Sequence, residues 1–295
     1  MNPDWVAVDW GTTNMRAFAM SDTGEVLGRV TSDRGMGTLT PAEFSPTLEA
    51  ALADWALADT VPVIACGMVG ARQGWVEAEY RAVPCAPVST TATRAPASRP
   101  VLIVPGLSQS DPADIMRGEE TQIAGYLLSD PDFAGTLCLP GSHTKWAAID
   151  TGRIERFRTV MTGETFSALT KHTILRLTMD DGWDDDTFRA AVSEGFSNPA
   201  ALTTALFALR STAMLHGVPP GTAAARASGL LIGMELAHCE AFWRDRSVVL
   251  IGADHLSQRY ATALDTLGNS PITTDADTCT LAGLKAAWAE LKDTL

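Results

Sequence analysis

The chain has 295 residues, of which 46% are hydrophobic and 19% are charged, as in ordinary globular proteins with substantial cores. This length exceeds the size at which one core usually keeps growing, so two domains are expected. The formal net charge of -13 opposes binding to a phosphate backbone, and no basic stretch is interleaved with aromatic residues, so nucleic acid is excluded as an expected partner.

The cysteines and the N-terminal sequence indicate a reducing compartment. Five cysteines form no closely spaced pairs, and their odd number argues against a disulfide framework or a Cys-rich zinc site. The opening MNPDWVAVDW is acidic where a signal peptide is positively charged. The longest apolar stretch, near ASGLLIGMELA, is interrupted by Arg226 and Glu235 and is too short for a bilayer. We therefore expect a cytoplasmic protein with no membrane segment.

The first elements of the chain predict a β-hairpin meander. A strand at residues 5–9 ends at the turn GTTN, and MRAFAMSDTGEVLGRV continues as a strand, a turn at Gly24 and another strand. Apolar residues spaced by three and four predict a helix from Pro41 to Leu57. Buried strands at VPVIAC and VLIVPG then flank an irregular segment at residues 84–100, and a helix is predicted over residues 117–128.

The chain then repeats its opening pattern. The strand TLCLP, the turn GSHT, the strand KWAAID and the turn DTGR follow the same order as residues 5–24. Aligning Gly11 with Gly141 places Thr12 against Ser142 and Asn14 against Thr144. Two half-molecules of similar plan are therefore predicted.

The rest of the chain alternates helices and strands. Residues 184–215 and 222–243 have helical spacing, SVVLIGAD is a buried strand, and LAGLKAAWAELKDTL is an amphipathic closing helix. This mixture predicts an α/β fold. The predicted domains are 1–110 and 111–295, with the alternative that the final helix packs back on the first domain.

The Gly–Thr turn after the first strand has the chemistry of an anion site. Consecutive backbone amides and hydroxyls of Gly11, Thr12, Thr13 and Asn14 can point into one concavity and hold phosphate oxygens. Asp9 precedes the turn, where a carboxylate can hold hydrated Mg²⁺ against those phosphates. The alternative is that Asp9 and Thr12 only cap a hairpin.

Two sequence strings resemble a superfamily, and five resemble one enzyme family within it. VAVDWGTTNMRAF and LPGSHTKWAAID resemble the two phosphate loops of the sugar kinase, heat-shock ATPase and actin superfamily. GMVGARQGW, MRGEETQ, PGSHTKW, FRTVMTGE and SGLLIGMELA are similar to strings of the 2-dehydro-3-deoxygalactonokinases. The resemblance implies a two-domain actin-like ATPase (ribonuclease H-like) fold with a nucleotide cleft between the domains.

The resemblance also implies a reaction. ATP and Mg²⁺ would phosphorylate 2-dehydro-3-deoxy-D-galactonate to its 6-phosphate in galactose or galactonate catabolism. Kinases for another sugar or sugar acid, and a nucleotide-binding sensor on the same fold, are the alternatives, because one fold hosts many activities. A homodimer is also left open.

The family likeness implies roles for individual residues. Glu119, with Glu120 as its rival, would orient the sugar hydroxyl and accept its proton, although both acids could merely complement the helix dipole. Asp9 would be catalytic through its metal. The second phosphate loop would comprise Gly141, Ser142, His143, Thr144 and Lys145, and the adenosine loop Gly252 and Ala253.

The substrate carboxylate calls for a guanidinium, which binds it with two parallel hydrogen bonds. Arg158 is the favoured candidate, and Arg16 is another. Thr162 and Glu164 would bind hydroxyls, and Trp75 would form an apolar wall. A hydrolase built on Ser142 and His143 is disfavoured, because GSHTK lies between two strands and is not a nucleophile elbow.

Overall fold

The computed structural model describes residues 2–219 and 221–294, and its strands form three sheets. In chain order the strands are β1 (Trp5–Trp10), β2 (Met15–Met20), β3 (Val26–Ser32), β4 (Val63–Cys66), β5 (Tyr80–Ala82), β6 (Thr93–Arg94), β7 (Val101–Ile103), β8 (Gly106–Ser110), β9 (Ala113–Met116), β10 (Gly135–Leu139), β11 (Thr144–Asp150), β12 (Arg153–Val160), β13 (Val248–Gly252) and β14 (Ile272–Asp275). The helices are α1 (Phe44–Leu52), α2 (Glu119–Ser129), α3 (Thr162–His172), α4 (Asp185–Ser197), α5 (Leu202–His216), α6 (Thr222–His238), α7 (Glu240–Trp243), α8 (Asp254–Thr266) and α9 (Ala276–Leu291).

Two of the sheets have the same strand order. The first runs β3-β2-β1-β4-β7-β6, and the second runs β12-β11-β10-β13-β14. In the first, β1 is antiparallel to β2 and parallel to β4. In the second, β10 is likewise antiparallel to β11 and parallel to β13. The predicted internal repeat is therefore confirmed. The third sheet, β5-β8-β9, is small and has no counterpart among the described residues.

The chain divides into two compact units that are each discontinuous in sequence. Unit 1 comprises Met1–Phe133, Asp150–Arg156 and Ala276–Leu295, and unit 2 comprises Ala134–Ile149 and Phe157–Asp275. The predicted boundary at 110/111 differs from this division, in which the chain first leaves unit 1 at 133/134. The difference arises because α2 packs on α9 inside unit 1.

Glycines allow that close packing of α2 on α9. A Cβ on Gly125 of α2 would lie 1.8 Å from the carbonyl oxygen of Cys279, and one on Gly283 of α9 would lie 1.9 Å from that of Thr121. Any larger residue would separate the two backbones. The closing helix therefore belongs to unit 1 and not to the unit that precedes it in sequence.

Both faces of the unit 1 sheet are covered by apolar side chains. On one face, Trp10 packs against Phe44 of α1 and Trp75, with ring centroids 5.1 and 6.2 Å away. On the other, Trp5 stacks on Trp288 of α9 at 4.9 Å. The predicted helix over Pro41–Leu57 is α1 with a short 3-10 turn at each end, and its predicted inward residues are largely buried.

In unit 2, α6 lies against α4 at small residues. A Cβ on Gly229 or Gly233 of α6 would lie within 2.5 Å of a carbonyl oxygen of α4. This close approach fixes the rotation of α6, so its remaining face points at the sheet. Among residues 2–219 and 221–294, no helix combines the length and the apolar character needed to span a membrane.

Candidate active site

The first Gly–Thr turn joins β1 to β2 and is supported from behind. The amides of Gly35, Met36 and Gly37 donate to the carbonyl oxygens of residues 13, 11 and 12 at 3.1, 2.9 and 2.9 Å. In the part of the chain that the structure describes, the amides of residues 12–14 have no hydrogen-bond partner. The turn therefore holds its carbonyls in place and presents its donors, the arrangement that binds an anion.

The second turn, Gly141 to His143, joins β10 to β11 and is supported in the same way. Its Ser142 carbonyl accepts a hydrogen bond from the Glu164 amide at 3.0 Å, and its His143 carbonyl accepts one from Lys145 Nζ at 3.1 Å. Within residues 2–219 and 221–294, the Ser142 and His143 amides have no hydrogen-bond partner. Both units thus present a turn whose carbonyls are restrained and whose amides are available.

The start of α3 contacts the second turn closely. A Cβ on Gly163 would lie 2.3 Å from the Gly141 carbonyl oxygen and 2.9 Å from Ser142 Cα, so only glycine fits there. Glu164 Oε2 also pairs with His143 Nε2. Two predicted substrate residues, Thr162 and Glu164, therefore lie beside the predicted phosphate turn. Lys145 is buried, with its ammonium against the turn's own carbonyl.

Asp9 is the last residue but one of β1 and forms an ion pair with Arg16. The Arg16 guanidinium lies between two carboxylates, because its other nitrogen pairs with Asp277 at the start of α9. Arg29 Nη2 lies 3.3 Å from the same Asp277. Arg16 is thus placed to orient Asp9, and its predicted contact with substrate stays a prediction.

A cavity of about 650 Å³ opens in unit 1 beside the first turn. It is lined by Asp9, Gly11, Thr13, Asn14, Arg16, Thr31, Ser32 and Asp33. In residues 2–219 and 221–294, no cluster of three His, Cys, Asp or Glu side chains could hold a metal by itself. Mg²⁺ in a nucleotide site needs only one or two carboxylates, with waters and phosphates completing its shell, so Asp9 fits this ion.

Two glycines bring the start of α2 to the ends of β1 and β4. Gly67 has φ +91° and Gly118 has φ +108°, and a Cβ on Gly118 would lie 3.3 Å from Gly67 Cα. A Cβ on Gly67 would lie 2.8 Å from the Trp10 carbonyl oxygen and 3.3 Å from Asp9 Oδ1. This long-range contact, which no local sequence pattern predicted, places the α2 acids near Asp9.

The two glutamates of α2 differ in environment. Glu119 is partly exposed and accepts a hydrogen bond from the Arg117 amide at 3.0 Å. Glu120 is buried and accepts one from the Gly118 amide at 2.7 Å. Burial, reinforced by the Glu119 charge, raises the pKa of Glu120 to about 8. Glu120 is therefore largely protonated at pH 7, when a proton acceptor must be ionised.

Cys66 lies among the same acids. Its pKa is raised well above the ordinary value by burial, and then by the charges of Asp9 and Glu120. Its Sγ is 3.9 Å from Asp9 Oδ1. The thiol is thus buried and protonated. Because the charges of Asp9 and Glu120 both raise its pKa, both carboxyl groups lie near Cys66.

The predicted adenosine loop follows β13. A Cβ on Gly252 would lie 2.7 Å from Ser257 Oγ and 3.4 Å from Cδ of Pro140, the residue before the second turn. Ala253 is the N-cap of α8. Because β10 and β13 are parallel neighbours, the predicted adenosine loop and the second turn leave the same edge of the unit 2 sheet.

Two further predicted substrate residues, Trp75 and Arg158, have different surroundings from each other. Trp75 is only 6% exposed and packs in the aromatic core of unit 1, so its burial does not favour the predicted wall of a substrate pocket, which stays a prediction. Arg158, on β12, is partly exposed, and its Nη1 lies 3.5 Å from the His238 carbonyl oxygen.

Sequence reasoning missed three supports of the site. The segment 35–37, Asp277 and Glu235 each hold a predicted site residue or its neighbour. The first had a usable signal, because two glycines flanking one residue in GMG indicate close backbone contact. The acid Glu235 within the apolar string SGLLIGMELA was another, since a lone carboxylate in an apolar helix needs buried partners.

The comparisons with known proteins agree over nearly the whole chain. The family model described as 2-keto-3-deoxy-galactonokinase matches residues 9–287. A Rhizobium meliloti (strain 1021) protein assigned as a 2-dehydro-3-deoxygalactonokinase is 39% identical over 96% of both chains. The 2-dehydro-3-deoxygalactonokinase of Escherichia coli (strain K12) is 32% identical over 97% of this chain and 98% of its own.

A solved structure gives the same result. The crystal structure of a Sinorhizobium meliloti protein assigned to that activity matches with a TM-score of 0.89 and 39% identity, covering 97% of this chain and 96% of the other. The repeated sheet order in two units is that of the actin-like ATPases, as the resemblance predicted. The family match over residues 9–287 and these relatives lead to one conclusion: the chain belongs to the 2-keto-3-deoxy-galactonokinase family.

Proposed function

We propose that this protein transfers the terminal phosphoryl group of ATP to the 6-hydroxyl of 2-dehydro-3-deoxy-D-galactonate, a step of galactose or galactonate catabolism. One observation carries the proposal. Each repeated unit presents a turn whose carbonyls accept hydrogen bonds from neighbouring residues and whose amides are available for phosphate oxygens. Phosphoryl transfer depends mainly on positioning and on neutralising charge, which such turns supply.

The nucleotide is assigned to the two turns and the loop after β13. The turns at residues 11–14 and 141–144 hold phosphate oxygens through the amides of residues 12–14, Ser142 and His143, with Lys145 adding positive charge nearby. Gly252 and Ala253 carry the adenosine. Asp9, oriented by Arg16, holds Mg²⁺, which neutralises phosphate charge when it is bound.

Glu119 is assigned as the residue that aligns the sugar hydroxyl and accepts its proton. It is partly exposed, so it can reach a bound substrate, and it sits in the first turn of α2, where the helix dipole favours an ionised carboxylate. Glu120 is assigned the supporting part, because it is buried and largely protonated at pH 7. The supported assignment is therefore Glu119 as base and Glu120 as its neighbour.

Arg158 is assigned to the substrate carboxylate. It lies on β12, the strand that leads into α3, whose first turn contains Thr162 and Glu164. A planar guanidinium binds a carboxylate with two hydrogen bonds, whereas the ketone and hydroxyls need single donors and acceptors. Thr162 and Glu164 are assigned to supply these single donors and acceptors.

Coupled ADP-release assays test the proposal. The purified chain is given MgATP with a panel of 3-deoxy-2-keto sugar acids, the corresponding sugar acids without the keto group, and simple hexoses. ADP release confined to the keto acids supports it. Release with hexoses alone indicates another sugar kinase, and no release with any acceptor indicates a nucleotide-binding sensor. The expected cytoplasmic location and a homodimer stay predictions, to be checked by cell fractionation and sedimentation.

A further inference from the structure

A buried carboxylate lies directly behind the second turn. Glu235, on α6, has no exposed surface. Its Oε1 accepts a hydrogen bond from Trp146 Nε1 at 2.7 Å, and its Oε2 accepts one from the Tyr260 hydroxyl at 2.8 Å. The partners come from β11 and α8, so this one side chain joins three elements of unit 2.

The bonds continue from Glu235 to the turn. The Tyr260 hydroxyl lies 2.8 Å from Thr144 Oγ1, and Thr144 is the residue that follows His143. Because Tyr260 gives its proton to Glu235, Thr144 must donate to Tyr260. Were Glu235 protonated, it would donate to Tyr260, and the direction of the chain would reverse. The charge of Glu235 therefore sets the orientation of the hydroxyl beside the second turn.

The other side of the turn also faces Glu235. Thr162, the first residue of α3, is buried near Glu235, and among the described residues its hydroxyl has no hydrogen-bond partner. Of the two residues that follow it, Gly163 lies against the Gly141 carbonyl, and the Glu164 amide donates to the Ser142 carbonyl. Glu235 is thus bonded to β11 through Trp146 and, through Tyr260, to Thr144, and it lies near the start of α3.

Glu235 is surrounded by neutral groups. Burial raises its pKa to about 7, and the hydroxyls of Thr162 and Tyr260 and the Trp146 indole act in the opposite direction. The titratable groups that face it are Tyr260 of α8, Cys138 of β10 and Cys239 after α6, and Arg158 acts at Cys239. Proton binding at Glu235 therefore falls within the physiological pH range.

We propose that Glu235 is a positioning residue for nucleotide binding, which fixes the second turn through Trp146 and Tyr260. The inference rests on the proposed function of the second turn. An apolar side chain could fill the same space, but it could not orient the Tyr260 and Thr144 hydroxyls. The residue acts through others and touches no phosphate itself.

The test measures the dissociation constant for MgADP by calorimetry from pH 6 to pH 8.5, for the wild type and for Glu235→Gln. An amide resembles the protonated acid, so the variant should bind about 10 to 100-fold more weakly at pH 8, the range for one mispaired buried hydrogen bond. At pH 6 the ratio should fall towards one, because wild-type Glu235 is then protonated too. Dividing by the wild-type value cancels the titration of the nucleotide itself.

Two more variants complete the design. Tyr260→Phe removes one oxygen and should weaken binding in the same direction, which preserves the test if Glu235→Gln does not fold. Glu49→Gln is the matched control, because Glu49 forms two hydrogen bonds with Arg99 in unit 1. It should lower the melting temperature and leave the dissociation constant unchanged.

The outcomes separate this inference from the function on which it rests. A constant ratio near one for Glu235→Gln and Tyr260→Phe, with only lower melting temperatures, would show a purely structural role. If Glu235→Gln bound MgADP more weakly than the wild type by the same factor at every pH, the charge-dependent orientation would also be overturned. A wild type that does not bind MgADP at all would instead refute the nucleotide assignment of the turns.

Discussion

Replacing Gly163 by alanine tests whether the geometry of the second turn matters for catalysis. The new Cβ would lie 2.3 Å from the Gly141 carbonyl oxygen, whereas ordinary contacts begin near 3.4 Å. The start of α3 and the turn must therefore separate by about 1 Å. The three nearest atoms all belong to the backbone of Gly141 and Ser142, so no side-chain rotation can relieve the overlap.

Two magnitudes follow from that displacement. Overpacking of this kind destabilises a fold by about 1 to 3 kcal/mol. A misplacement of about 1 Å in a site that acts by positioning lowers catalysis by about 100-fold. We therefore expect Gly163→Ala to remain folded, with kcat/KM for ATP reduced by about two orders of magnitude.

The assay combines coupled ADP release with thermal unfolding. Gly268→Ala is the control, because Gly268 has φ +88° and no atom within 4 Å of the added Cβ, so it costs roughly 1 to 2 kcal/mol of stability without moving the turn. Gly268→Ala should keep its activity. If Gly163→Ala lost similar stability and kept wild-type kcat/KM, the second turn would not be a phosphate site.

Four other outcomes are expected. Asp9→Asn should reduce kcat strongly even at saturating Mg²⁺, measured by ADP release, and a wild-type kcat would remove Asp9 from the metal site. Glu119→Gln should lower the single-turnover rate by roughly 100 to 10,000-fold with nucleotide affinity retained, while Glu120→Gln is milder; the reverse order would transfer the base to Glu120. Because the folded pKa of Glu120 is raised above its unfolded value, its contribution to stability is greatest at low pH and decreases as pH rises from about 4.5 to about 8. The free energy of unfolding of Glu120→Gln, measured with urea, should lack that decrease with pH. If it decreased with pH as steeply as that of the wild type, the burial argument would be contradicted. Arg158→Lys should raise KM for the keto acid far more than KM for ATP, because lysine cannot form the paired hydrogen bonds; equal KM values would exclude Arg158.

The local parts of the site were accessible to sequence reasoning. A Gly–Thr turn between two buried strands has a recognisable pattern, and its recurrence at residues 141–144 predicted the repeated sheet order that the structure shows. Helices with clear periodicity, such as α1 and α9, were predicted, and their apolar residues pack into the hydrophobic core. Each of these features is set by residues near one another in sequence.

The long-range parts were not accessible. Arg16 pairs with Asp277, which is 261 residues away, and no local pattern marks that partner. An indole can line a substrate pocket or pack in a hydrophobic core, so the sequence alone does not distinguish the two. In the structure Trp75 packs in an aromatic cluster with Trp10 and Phe44. The domain division depended on which helix α2 packs against, and that choice is made by two glycines in distant segments.

The discontinuity of unit 1 has a consequence for synthesis. The ribosome makes the strands of unit 1 first, but α9, which carries Trp288 and covers Trp5, follows all of unit 2. Until α9 emerges, one face of the first sheet exposes the apolar residues that it later buries. Exposed surface of this kind attracts chaperones and promotes aggregation. The nascent chain must therefore complete the second unit while the first still waits for its final helix.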